Sequence, residues 1–86
     1  MLKISYFLGI SVYMYYDDHN PPHFHAIYNE FVAVLNINTG KIIAGKLPPK
    51  VYELIKEWMD IHKKELLKDW ELAKKFKKLK KIKPLI

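Results

Sequence analysis

The chain of 86 residues contains no cysteine and no arginine, and only three glycines and five prolines. Without cysteine there is no disulfide framework, no thiolate metal site and no catalytic thiol, so any metal would need imidazole and carboxylate ligands. The same absence fits a reducing cytoplasm, which is the expected location. Without arginine all fifteen cations are lysines, and the planar fork that reads guanine edges or clamps a phosphate through two parallel hydrogen bonds is missing. Sequence-specific reading of DNA is thereby disfavoured. Long apolar runs are missing as well. The N-terminal apolar stretch is broken by Ser5, Gly9 and Ser11 and runs into Asp17 and Asp18 with no small-residue cleavage site. Neither a signal peptide nor a transmembrane helix is expected, and no membrane partner.

Half of the residues are apolar and 14% aromatic, enough for a compact core, and the length suits a single domain over 1–86. The formal net charge of +6 is unevenly placed. Between Lys74 and Ile86 there are seven lysines and no acid, whereas residues 1–73 carry eight lysines against nine acids, a net charge of −1. The basic character belongs to the tail.

Ile10, Val12, Met14 and Tyr16 alternate with Ser11, Tyr13 and Tyr15, a period of two that predicts a strand with unlike faces. Ile4 to Leu8 reads as another, joined at Gly9. After the turn formers Asp17 to Pro22, His23 to Tyr28 alternates again, and Asn29 suits the positive φ of a tight hairpin leading to Phe31–Ile37. Asn38-Thr39-Gly40 suits a turn closed by a left-handed glycine, and Lys41 to Ala44 resumes as a strand. Pro48-Pro49 suits a helix start, after which Val51, Leu54, Ile55, Trp58, His62, Leu66, Trp70 and Ala73 recur at steps of three or four. The expected fold is α+β: an antiparallel meander of four or five strands over 3–46, one long helix or two consecutive helices over 49–75 packed on one face, and a basic tail over 76–86. A break in the helix is expected near Asp60 to Lys63, because a single helix of that length exceeds the usual globular range. An open edge strand and a tyrosine-bearing outer face make a homodimer or a protein partner a further expectation.

Chemistry concentrates in Asp17-Asp18-His19-Asn20-Pro21-Pro22-His23-Phe24-His25, which holds three of the four histidines and two carboxylates. On a strand, His23 and His25 share a face while the prolines hold Asp18 and His19 on a stiff connection before them. Asp18, His19, His23 and His25 are therefore candidate ligands for a divalent metal, zinc or iron. His23, His25 and His19 are equally candidates for metal-free proton transfer, as when the 2′-hydroxyl of RNA attacks its own phosphate. The plain structural alternative is a turn followed by surface histidines. The histidine site is expected to be open to solvent. His62, on the apolar stripe, reads as a buried histidine bonded to a backbone carbonyl, and Trp58 and Trp70 as core aromatics. In the tail, Lys74, Lys75, Lys77, Lys78, Lys80, Lys81 and Lys83 are candidate contacts to RNA or DNA phosphates, with Phe76, Leu79, Ile82 and Leu85 as apolar anchors.

The motif Asp18-His19-Asn20-Pro21-Pro22-His23-Phe24-His25, preceded by Gly9-Ile10 and the Tyr13–Tyr16 strand, resembles a family of small bacterial proteins of unknown function with a D-H-N-P-P-H-F-H signature. The likeness continues through Asn36–Gly40, Leu47-Pro48, Glu57-Trp58, His62, Glu65-Leu66 and Trp70–Ala73 to Ile82–Leu85. The chain departs from the family pattern at Asn29, where glycine is common, and in its lysine-rich tail. The resemblance implies the toxin-like component of a small two-gene system, with a small antitoxin-like protein as partner. It carries over no established catalytic residue. Three classes of function therefore stand: a toxin-like protein acting on RNA, a metal-binding protein or metal-dependent enzyme of another kind, and a non-catalytic module that binds nucleic acid or protein.

Overall fold

The computed structural model describes residues 2–86. Five strands form one antiparallel sheet in sequential order: β1 (Leu2–Phe7), β2 (Ile10–Met14), β3 (His23–Tyr28), β4 (Phe31–Asn36) and β5 (Ile42–Gly45). One helix, α1 (Pro49–Lys74), follows. No helix among the described residues is long and apolar enough to cross a membrane.

Turn chemistry sets the register. Leu8 and Gly9 both take positive φ between Phe7 and its partner Ile10, and Asn29 takes φ 52° in the two-residue turn between Tyr28 and Phe31. Gly40, at φ 76°, ends the turn in which its N–H reaches the carbonyl of Asn36 at 2.8 Å. With register fixed, alternation turns Ile10, Val12, Met14, Phe24, Ala26, Ala33 and Leu35 inward, and all seven are fully buried.

The helix lays Val51, Ile55, Trp58, Met59, Leu66, Trp70 and Ala73 on that layer. Trp58 is the centrepiece, with ring centroids 5.5 Å from Phe7 and 5.8 Å from Phe24. Burying a large apolar side chain of this kind contributes about 2–3 kcal/mol. The helix is kinked at His62 (φ −112°, ψ 21°), inside the stretch where its length predicts a break. His62 is buried, yet its partner is not a backbone carbonyl: Nδ1 lies 2.6 Å from Oε1 of Glu65. The i,i+3 spacing brings that carboxylate within reach of the ring.

The tail is anchored as expected at Leu79, Ile82 and Leu85, but not at Phe76, and its course is the larger departure from expectation. It is an extended strap along the outer edge of β1 and against α1. The N–H of Ile82 donates to the carbonyl of Ile4 at 2.8 Å, and Oγ of Ser5 donates to the carbonyl of Ile82 at 2.9 Å. Nε1 of Trp58 donates to the carbonyl of Lys83 at 2.8 Å, and the N–H of Lys80 to Oδ1 of Asp69 at 2.9 Å. Leu79 and Ile82 are buried and Leu85 is half-buried. A spacing of three, which suits neither helix nor strand, suits this extended path. Phe76 is no anchor: the residue is 67% exposed. The β1 edge is thus partly covered, while β5 remains at the other end of the sheet. On the face away from the helix, Tyr6 and Val32 stay exposed.

Candidate functional site

Strand β3 positions the histidines. Phe24 and Ala26 fill the core, so His23 and His25 must point to the opposite side, with ring centroids 5.5 Å apart. The loop before β3 brings the carboxylate. It is tied to the end of the helix by the Asp17 N–H, which donates to the carbonyl of Ala73 at 3.2 Å, and Asp17 itself turns at φ 49°. Asp18 then faces the strand. Its Oδ2 lies 2.8 Å from Nε2 of His23 and 3.8 Å from Nε2 of His25.

One ligand atom each from Asp18, His23 and His25 lies within 4.8 Å of the others. His19 does not join them. Its backbone N–H donates to Oδ1 of Asp18 at 2.8 Å, so it orients the carboxylate through the main chain, and its residue is exposed. Asp18 thus enters the cluster while the exposed His19 stays outside it.

The cluster is more enclosed than expected. Trp70 lies 5.1 Å from the ring of His23, and Tyr15 meets the ring of His25 edge-on at 4.5 Å. Side-chain exposure is 12% for His23, 20% for His25 and 24% for Asp18. Neither Tyr15 nor Trp70 is marked as a site residue by the sequence. Tyr15 carries a signal only in its place beside the motif, and Trp70 reads as core because its contact with His23 depends on how the loop docks on the helix end.

Electrostatics follow from the enclosure. Burial, then the neighbouring charge of His23, outweighs Asp18 and pushes the imidazolium of His25 toward losing its proton. Burial works against the Asp18 carboxylate too, but the His19 N–H, the His23 hydrogen bond and the charges of both histidines overcome it and hold its pKa below the ordinary value. Nδ1 of His23 donates to the carbonyl of Pro21 at 2.7 Å, which turns Nε2 toward Asp18. Nε2 of His25 is buried and without a hydrogen-bond partner. Tyr15, Tyr16, Asp17, Asp18 and His25 line an adjoining cleft of about 370 Å³.

The tail lysines lie outside the cluster and on more than one side of the molecule. Lys74, Lys75, Lys77, Lys78, Lys80, Lys81 and Lys83 are all exposed. Lys74 holds its Nζ 5.9 Å from the ring centroid of Trp70, on the side of the molecule where His23 sits, whereas Lys81 donates to the carbonyl of Lys3 at 2.6 Å on the β1 edge.

Neither the curated proteins nor the solved structures contain a match to the chain. Residues 9–71, from the β1–β2 turn to the last turns of the helix and including the whole of the histidine motif, match the model of a family described as a domain of unknown function, DUF4160, and the chain belongs to that family.

Proposed function

We propose that Asp18, His23 and His25 bind one divalent transition-metal ion, zinc or iron, as an open centre facing the Tyr15–Tyr16 cleft. The observation that carries this reading is the convergence of the three ligand atoms within 4.8 Å, with Nε2 of His25 buried and unpartnered. A buried imidazole nitrogen without a partner is costly unless something occupies its lone pair. Two imidazoles and one carboxylate form a donor set that suits zinc or non-haem iron and leaves positions for water or substrate. The hydrogen bond from His23 to Pro21 is the outer support that metal-bound histidines commonly have.

A second reading is favoured by the two nitrogens of His23, both of which face acceptors. A ring that donates from both nitrogens satisfies both, and it stands beside His25, whose pKa burial lowers, so the site sets a donating imidazole next to one shifted toward its proton-accepting form. That pair suits metal-free cleavage of RNA by a toxin-like protein whose partner is a small antitoxin-like chain.

Calorimetric titration of chelator-stripped protein with zinc or, under anaerobic conditions, ferrous iron decides between them. The metal reading expects one ion per chain at neutral pH and loss of binding in Asp18→Ala, His23→Ala and His25→Ala. Absence of binding at about 100 μM metal, far weaker than structural zinc affinities, removes it. The RNA reading then expects growth arrest on expression, abolished by His23→Ala or His25→Ala and relieved by the partner.

A further inference from the structure

Helix α1 ends in a Schellman turn. The N–H of Phe76 donates to the carbonyl of Ala73 at 3.1 Å, and the N–H of Lys77 to the carbonyl of Leu72 at 2.9 Å, with Phe76 at φ 57°. Glycine is the usual occupant of that position, because a Cβ resists the left-handed conformation and a bulky side chain there is an outlier. Leu8 bears the same strain, but in a two-residue hairpin turn shared with Gly9. At Phe76 no core packing offsets it, since the residue is 67% exposed. A local rule broken without a packing gain is a reason to look for function.

The surroundings of the ring narrow the choice. Phe76 stacks on Tyr16, with centroids 6.0 Å apart and planes 17° from parallel. Tyr16 is itself exposed and lines the cleft that contains Asp18 and His25. Lys74, Lys75, Lys77 and Lys78 surround Phe76 in sequence, are exposed, and form no ion pair among the described residues. Lys78 also shares a small cavity wall with Tyr16. Exposed aromatic faces for stacking, set among unpaired cations for a phosphate backbone, are the two elements of single-strand recognition. A duplex hides its base faces inside the stack, so the platform favours a single strand.

We propose that Phe76, backed by Tyr16, is a stacking platform for a base of single-stranded nucleic acid, with Lys74, Lys75, Lys77 and Lys78 holding the adjoining phosphates. The strand then passes the Tyr15–Tyr16 cleft beside Asp18 and His25. This gives the RNA reading of the histidine site a binding surface, and rests on that reading only for the chemistry that follows binding.

The test is fluorescence anisotropy with single-stranded RNA and single-stranded DNA of about twelve nucleotides, within the range of known single-strand sites, and with a duplex of the same sequence. Chelator is present, so a failed metal site cannot affect the result. Phe76→Gly relieves the left-handed strain and keeps the helix stop, so urea unfolding should show a midpoint equal to or above that of the wild type. Single-strand affinity should fall about tenfold, the loss typical of one stacked base, with the salt dependence unchanged. The fourfold Lys→Gln variant at Lys74, Lys75, Lys77 and Lys78 should also bind more weakly, but with a flattened salt dependence. Tighter binding of RNA than of DNA supports RNA as the source of the strand, and equal binding supports single strands in general. Undiminished affinity in Phe76→Gly, or a preference for duplex, overturns the platform. If Phe76→Gly unfolds the protein, Phe76→Asn, which tolerates the same φ without an aromatic ring, replaces it; normal binding by that variant is equally decisive against the proposal.

Discussion

Asp69, on the buried side of α1, accepts the backbone N–H of Lys80 through Oδ1 at 2.9 Å, while its Oδ2 is buried with no partner. A single carboxyl thus joins the helix to the strap, in a cleft of about 400 Å³ lined also by Lys64, Glu65, Lys68, Lys81 and Ile82. Burial raises its pKa above the ordinary carboxylate value; the Lys80 N–H opposes the shift, Glu65 reinforces it, and the charge of Lys80 opposes it again.

The sign of the pH effect follows. A folded-state value above the unfolded one means that the contribution of Asp69 to stability is fully present below the ordinary carboxylate range and is lost as pH rises through the raised value. An asparagine side chain at this position would keep the acceptor for Lys80 and cannot ionise, so Asp69→Asn imitates the protonated acid. Urea unfolding should therefore show the variant gaining on the wild type between about pH 4, near the ordinary carboxylate range, and neutral pH. A difference that does not change with pH would mean that Asp69 ionises freely in the fold.

The strap is part of the core, and its apolar positions should behave accordingly. Ile82 is 4% exposed and its backbone pairs with both Ile4 and Ser5. Ile82→Ala should cost about 2–4 kcal/mol, as buried aliphatic truncations do. Deleting residues 77–86 should cost more, because it also strips the carbonyl from Nε1 of Trp58, and tryptophan fluorescence should report the exposure. Deletion is therefore a poor test of nucleic-acid binding, whereas Lys→Gln substitution at the exposed tail lysines should leave the unfolding midpoint almost unchanged.

Much of this fold is legible from side-chain patterns alone, and the reasons are local. Alternation in His23–Tyr28 separates Phe24 and Ala26 from the histidines, Asn29 and Gly40 sit where the backbone needs positive φ, and the helical stripe is carried by residues spaced three or four apart. The strap is not legible in that way, because main-chain groups of Lys80, Ile82 and Lys83 hold much of it and no side-chain pattern encodes them. At the site, periodicity places His23 and His25 together but cannot choose between the adjacent Asp18 and His19. That choice depends on the turn at Asp17 and its hydrogen bond to Ala73, a contact between residues far apart in the chain.

Gly45 is a further position whose need the sequence conceals. It ends β5 at φ 74°, and a Cβ built there would collide with the carbonyl oxygen of Val32. Main chain cannot yield as a flexible side chain would. Gly45→Ala should therefore destabilise the protein by more than about 2 kcal/mol, combining left-handed strain with a displaced β4–β5 ladder. Thermal unfolding within a degree of the wild type would show that β5 can shift aside without loss.

The acid sensitivity of the histidine site should be separable from that of Asp69, because its sign is opposite. His25 has a folded-state pKa below its ordinary value, chiefly through burial and then through His23, so the unfolded chain binds its proton more readily. Stability from this residue is present above the ordinary imidazole range and declines as pH falls below it. Asp18, also lowered, acts in the same direction across the carboxylate range, where its ion pair with His23 is lost on protonation. Metal-free wild type should consequently lose unfolding midpoint on going from about pH 7.5 to about pH 5.5, which spans the ordinary imidazole value, and His25→Gln should lose less. Bound zinc should steepen the wild-type loss, because protons compete with the ion for both imidazoles. Equal losses in wild type and His25→Gln, with and without zinc, would place the ring of His25 in free contact with water and remove the buried, unpartnered nitrogen on which the metal reading depends.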